Sequence, residues 1–284
     1  MKLWRILKPS IKGSIMVVIG VLNTAIGIGR ATINLIYGPI AFFFLAISGL
    51  FVIEIVQTLE ESSQNSSITV KPAKIFRGMF VFGVMYIIGS TIAVYNLVIN
   101  DLDFFIIYFV AAVGILWLSL GLYAVQGRKN VLIENIVVSL AFTIGLLYGG
   151  VLNSPIIPIF IYFFFLTAFF LQLSRELVRG FNDGEGEEDE SPSEITDDDQ
   201  KILKFSLIFQ LFAIIFFVLP IIYVNVSISF LFIYPMIIGL IFISIACYLT
   251  FKSVLEKKCF TKISSLLKIG VVIEIIAFIL AIYN

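Results

Sequence analysis

Glu54, Gln57 and Glu61 stand at i, i+3 and i+7, a spacing that gathers three oxygen-bearing side chains on one face of a helix. Such a face points acidic oxygens toward the mouth of a site, although a helix end surfacing into water leaves the same trace. A second set, Glu176, Asp183 and Glu187, recurs at i, i+7 and i+11, one face again wherever the helix persists past Gly180. Glycines at 180, 184 and 186 weigh against that persistence. A third set is Tyr123, Arg128, Lys129 and Asn135, with Glu134 beside it. A basic loop facing acidic helix ends suits a diphosphate bridged by magnesium, because hard oxygen ligands and phosphates share that ion.

The rest of the composition narrows the chemistry. The chain has no histidine, which removes histidine bases, Ser/His/Asp triads and the commonest transition-metal sites together. Any bound metal should therefore prefer oxygen. Cys247 and Cys259 show no CxxC spacing and suggest no disulfide framework. Formal net charge is zero, with no arginine-rich arm or zinc-knuckle spacing, so nucleic acid is not an expected partner.

The elements that must carry these residues are membrane helices. Of 284 residues 60% are hydrophobic and 13% charged, and mean hydropathy is +1.07, outside the soluble range. Apolar stretches near the length needed to cross a bilayer fall at 14–34, 36–58, 76–98, 104–125, 131–150, 155–177, 202–223, 227–250 and 265–283. The expected fold is an all-α, multi-pass cell-membrane protein, one membrane domain over 1–284 with nine transmembrane helices around a central cavity. Residues 1–12, with four positive charges and Trp4, read as a short interfacial helix before the first span. Turn chemistry at Gly38-Pro39, Asn100-Asp101, Gly127 and Asn153-Ser154-Pro155 separates several spans.

Sorting the loops by charge puts 18 of the 19 basic residues on one parity, with Arg30 alone on the other. The N-terminus is then expected in the cytoplasm and the C-terminus outside. The loop 179–200, ten of whose residues between Asp183 and Asp199 are carboxylates, reads as a solvated acidic linker. Ionisable residues inside spans are functional candidates by default, so Glu54, Glu134 and Glu274 keep a transporter-like ion pathway open as a further alternative.

Several stretches resemble the UbiA superfamily of intramembrane prenyltransferases, in particular its archaeal branch that makes digeranylgeranylglyceryl phosphate. Arg175-Glu176-Leu177-Val178-Arg179, followed by Asp183 and Glu185-Gly186-Glu187, resembles that branch's R-E-I-x-K-D-x-x-D-x-E-G-D. Glu134-Asn135-Ile-Val-Val-Ser-Leu, then Leu147-Tyr148-Gly149-Gly150, is similar to its G-N-x-x-V-x-x-L and F-x-Y-G-G run. Leu7-Lys8-Pro9-Ser10 resembles the family's R-P-x-N entry into the first helix.

The resemblance implies two acidic motifs facing each other across a cavity, holding magnesium and helping an isoprenoid diphosphate to ionise before a lipid-soluble acceptor captures the prenyl cation. Carried over, the first motif falls on Ile53, Glu54, Gln57 and Glu61, and the second on Gly180, Asp183 and Glu187. One of five expected aspartates is kept and three positions hold an acid as Glu. The implied metal ligands are Glu54, Glu61, Asp183 and Glu187, with Gln57 in the same catalytic set. Lys71, Lys74, Arg128, Lys129, Arg175 and Arg179 would clamp the diphosphate; Tyr123, Asn135, Glu176 and Asn182 would line the cavity. The substitutions leave two readings, a divergent enzyme or a catalytically impaired relative that binds isoprenoid lipid.

Overall fold

Apolar sequence of this density forms helices because each backbone polar group is satisfied within its own segment, and the described structure is helical almost throughout. The computed structural model describes residues 3–24, 33–49, 72–99, 131–153, 157–182, 193–194, 197–223, 230–256, 258–259 and 262–281. The helices are α1 Leu3–Asn23, α2 Ile33–Gly49, α3 Pro72–Ile99, α4 Val131–Asn153 and α5 Ile159–Asn182. They continue with α6 Asp197–Ile222, a 3₁₀ turn Phe230–Phe232, α7 Ile233–Glu256 and α8 Lys262–Leu280. Among the described residues, five stretches are long and apolar enough to cross a membrane: Phe76–Asn96, Ile159–Arg179, Asp199–Ile222, Phe230–Glu256 and Lys262–Leu280. Three shorter apolar helices, Ser10–Asn23, Ile33–Gly49 and Val138–Asn153, accompany them. The expected span at 104–125 lies outside the described residues.

The chain divides into two compact units, Met1–Ile157 and Pro158–Asn284. In the first, α1 and α4 pack side by side with their backbones nearly touching. A Cβ on Gly149 would collide with the carbonyl oxygen of Val17, and one on Gly20 with that of Leu146. Small residues permit this approach, which replaces hydrophobic driving force where the surroundings are lipid. Gly145 meets Gly13 and Gly149 meets Val17, so the two helices run parallel, as the expected first and fifth spans should. Val17, Val21, Phe42, Ala46, Ile144, Tyr148 and Leu152 form the core of this unit. Its helix ends are closed by asparagines: Asn153 Nδ2 donates to the Val21 carbonyl at 2.7 Å, and Asn34 Nδ2 to the Leu152 carbonyl at 2.9 Å. These carbonyls would otherwise be orphaned at helix C-termini.

The second unit is an up-down group of four helices, in which α5 and α6 run antiparallel, with Ser174 against Ser206 and Phe163 against Tyr223. Helices α7 and α8 are also antiparallel, a Cβ on Gly270 meeting Ile243 and one on Gly239 meeting Ile273. Phe164 stacks on Phe278 at 4.0 Å, and both contact the group of Phe217 and Phe232. Outward, Ile208, Leu211, Phe212 and Ile215 on α6 and Ile237, Ile238, Ile241 and Ile245 on α7 are exposed. Such a continuous apolar face suits hydrocarbon and not water.

Three expectations change in detail. Residues 3–12 do not form a separate interfacial element but are continuous with the first apolar stretch in α1, and that helix stops at Asn23, well short of residue 34. Thr24 Oγ1 and Asn23 Nδ2 take up the carbonyls of Gly20 and Ile19 there, at 2.8 and 2.9 Å, ending the helix by local competition for the backbone. The acidic segment 179–200 is not all solvated linker. Asp197, Asp198 and Asp199 open α6, where the positive end of the helix dipole favours them. Ser193–Glu194 forms a short strand paired antiparallel with Lys258–Cys259, Ser193 opposite Cys259 and Glu194 opposite Lys258. Two loops assigned by charge to one side of the membrane are thereby joined at one end of the unit.

Candidate functional site

Helix α5 carries its charged residues at one end and on one face. Gln172, Arg175, Glu176 and Arg179 are spaced i, i+3, i+4 and i+7, which stacks them along successive turns. Gln172 Nε2 donates to Glu176 Oε1 at 2.6 Å. Arg175 Nη1 reaches the same oxygen at 3.3 Å, and Arg179 Nη1 lies 3.6 Å from Glu176 Oε2. Both carboxylate oxygens of Glu176 are thus engaged by cations and an amide, which holds the two guanidinium groups in place instead of presenting Glu176 to a metal. The exposures grade along the helix: the Arg175 and Glu176 side chains are 9% and 12% exposed, that of Arg179 48%. Arg175 Nε is buried without a hydrogen-bond partner among the described residues. One carboxylate beside two guanidinium forks leaves net positive charge at a helix end, the arrangement that receives phosphate oxygens.

Behind this face a buried polar seam ties α5 to α6 and α7. The hydroxyls of Ser174 and Ser206 are 2.7 Å apart, Gln210 Nε2 donates to Ser206 Oγ at 3.2 Å and to Thr250 Oγ1 at 3.0 Å, and Thr250 Oγ1 donates to the Ala246 carbonyl at 2.8 Å. All four side chains are fully buried. Hydrogen bonds across membrane helices fix rotation and depth, so the seam sets where Arg175 and Arg179 face. Sequence reasoning passed over these residues. The signal available was Ser206 and Gln210, four apart in an otherwise apolar run.

Of the other expected site residues, Asn135 is half-buried in the first turns of α4, Lys74 belongs to the first turn of α3, and Asn182 is the last residue of α5. Glu54, Gln57, Glu61, Lys71, Tyr123, Arg128, Lys129, Asp183 and Glu187 lie outside the described residues. Helix α5 runs through Gly180 to Asn182, further than that glycine was expected to allow, while the glycines at 184 and 186 lie outside the described residues. Among the described residues no cluster of three acidic or sulfur ligands is formed.

No family model matches the sequence, and no curated protein matches it significantly. A solved structure does: one described as concerning digeranylgeranylglyceryl phosphate synthase in membranes, with a TM-score of 0.70 at 19% identity, over 97% of this chain and 95% of that one. The two proteins share a fold. At this identity the likeness extends to the path of the chain and not to its chemistry. A fold shared with a protein described as lying in membranes agrees with the apolar outer faces of α6 and α7.

Proposed function

We propose that the chain is an intramembrane prenyltransferase that moves a polyprenyl group, such as geranylgeranyl, from its diphosphate to a lipid-soluble acceptor. The observation that carries this reading is the fold shared, end to end, with a structure described as a digeranylgeranylglyceryl phosphate synthase. The paired arginines at the end of α5 support it, because such a transfer begins by releasing a diphosphate, and cations fixed where that charge develops lower the barrier. Arg175 is preset by Gln172 and Glu176, so little reorganisation is needed as the leaving group departs. Arg179, Lys71, Lys74, Arg128 and Lys129 complete the proposed clamp, with Tyr123, Asn135 and Asn182 lining the cavity. In this reading the N-terminus is cytoplasmic and nine helices surround that cavity, whose basic mouth faces the cytoplasm.

Glu54, Glu61, Asp183 and Glu187, with Gln57 alongside, would hold magnesium, an oxygen-ligand set suited to that ion. When bound, magnesium would neutralise the diphosphate and favour its departure. Purified protein in lipid, given labelled geranylgeranyl diphosphate, magnesium and lipid acceptors, is expected to form a prenylated product, lost on Asp183→Ala. A complete absence of product from every acceptor would overturn the reading.

A second reading, a relative that binds isoprenoid diphosphate without turning it over, is favoured by Gln57 and Gly180, which stand where the resemblance calls for acids. Gly180 lies inside α5, one residue past Arg179. The two readings separate on magnesium: the enzyme should bind the diphosphate more tightly with the ion, the binder equally with or without it.

A further inference from the structure

Glu274 lies in the middle of α8, on the face formed by Leu267, Gly270, Val271, Ala277 and Phe278, and is 1% exposed. Neither carboxyl oxygen has a hydrogen-bond partner among the described residues. Its level in the second unit is fixed by contacts on either side. One turn toward the start of α8, Gly270 meets Leu171 of α5 and Ile243 of α7. One turn further on, Phe278 stacks against Phe164 and crosses Phe217. The carboxyl is therefore enclosed between an aliphatic layer and an aromatic layer.

The charged groups of every described helix packed against it are remote. On α5 they are Arg175, Glu176 and Arg179, already paired with one another and beginning about 12 Å away along the bundle at 1.5 Å per residue. On α7 they are Lys252 and Glu256, 3.6 Å apart at the end of that helix. On α6, which reaches this level through Phe217, they are Asp197, Asp198, Asp199, Lys201 and Lys204 in its first turns, the nearest about 20 Å along the helix from Phe217. On α8 itself Lys262 and Lys268 stand on exposed positions. The tyrosines of these helices, Tyr162, Tyr234 and Tyr248, face outward. With neither donor nor counter-cation among the described residues, a carboxylate in such a place would give up its hydration uncompensated, a cost of several kcal/mol that proteins avoid by keeping the group neutral. Ionisable groups retained in this position in membrane helices are typically functional.

We propose that Glu274 is a proton-binding site of the membrane interior, a carboxylic acid sealed from water within the second unit and open to attack only by reagents that travel through lipid. The inference does not depend on prenyl transfer. A lipid-soluble carbodiimide reports it chemically: the acid's proton passes to one carbodiimide nitrogen, the carboxylate oxygen bonds to the central carbon as one C=N bond becomes single, and acyl migration to nitrogen leaves a stable acylurea. No other reactant is consumed.

The test uses the full chain in lipid vesicles at neutral pH. Infrared spectra of the wild type should contain a carbonyl stretch of a protonated carboxyl in an apolar setting that Glu274→Gln lacks and Glu274→Asp moves. Dicyclohexylcarbodiimide should leave an acylurea on Glu274 at least tenfold above its yield on Glu256, and a water-soluble carbodiimide should reverse that ratio. If Glu274→Gln does not accumulate, the wild-type labelling ratio decides alone. Loss of a carboxylate band in place of the carbonyl band, or preferential labelling of Glu274 by the water-soluble reagent, would overturn the proposal.

Discussion

At the scale of single residues, Glu176 is the pivot of the α5 site, since it accepts from Gln172, Arg175 and Arg179 together. Its two roles have opposite signs. Glu176→Gln removes the negative charge that tempers the two arginines, so diphosphate should bind more tightly. The same change leaves Arg175 buried with a weakened partner and should lower stability by about 1–3 kcal/mol. Titration with a labelled diphosphate and a thermal melt of the same sample read both effects, and a parallel loss of binding and stability would contradict them. Arg175→Lys keeps the charge but replaces a fork with a point charge, and should weaken diphosphate binding roughly tenfold, about 1.4 kcal/mol. Much of this site was legible in the sequence, since the spacing of Gln172, Arg175, Glu176 and Arg179 prescribes one face. The commitment of Glu176 to the arginines was not, because a carboxylate three residues from one arginine and beside another does not announce which geometry wins.

At the scale of elements, the parallel contact of α1 and α4 depends on glycine. Gly149→Val places a side chain against the Val17 carbonyl and forces the helices apart, and the loss of packing should cost about 2 kcal/mol or more by denaturant titration. Gly83 in α3 is the control: a Cβ there meets nothing within 4 Å, so Gly83→Ala should be neutral or stabilising by up to about 1 kcal/mol. In the second unit, Gln210→Leu should leave the hydroxyls of Ser206 and Thr250 without their common donor. A double-mutant cycle of Gln210→Leu with Thr250→Ala should return a coupling of about 0.6 kcal/mol, the usual value for such bonds in membrane helices. Apolar run lengths anticipated the positions of α3 to α8 to within six residues at each end. They did not anticipate the stop at Asn23, because hydropathy averages over the two polar side chains that capture the helix carbonyls there.

At the scale of the whole molecule, the hydropathy of the sequence and the shared fold agree on a multi-pass membrane protein, and both follow from one physical demand, that every backbone group in lipid be bonded internally. The pairing of Ser193 with Cys259 offers a direct check on the second unit. Directly opposed residues on antiparallel strands lie about 4.5–5.5 Å apart at Cα, within disulfide range. Ser193→Cys should therefore cross-link to the native Cys259 under mild oxidation, with Cys259→Ser abolishing the product and Cys247→Ser leaving it unchanged. Loop charge assigned both segments to one side, but no pattern in the sequence identified two residues of each as partners, since a two-residue strand has too little periodicity to detect.

That small clasp also acts as a leash. The ten residues 183–192 are fastened at one end to the last turn of α5 and at the other to the strand Ser193–Glu194. At about 3.5 Å per residue, none of the six carboxylates from Asp183 to Glu190 can lie more than roughly 20 Å of contour from one anchor or the other. Whatever path the segment takes, its negative charge cannot diffuse away as that of a free tail would. An anionic ligand reaching the arginines of α5 must therefore be attracted more strongly than this tethered acid, which begins four residues after Arg179 in the chain, repels it, a balance that a divalent cation would tip.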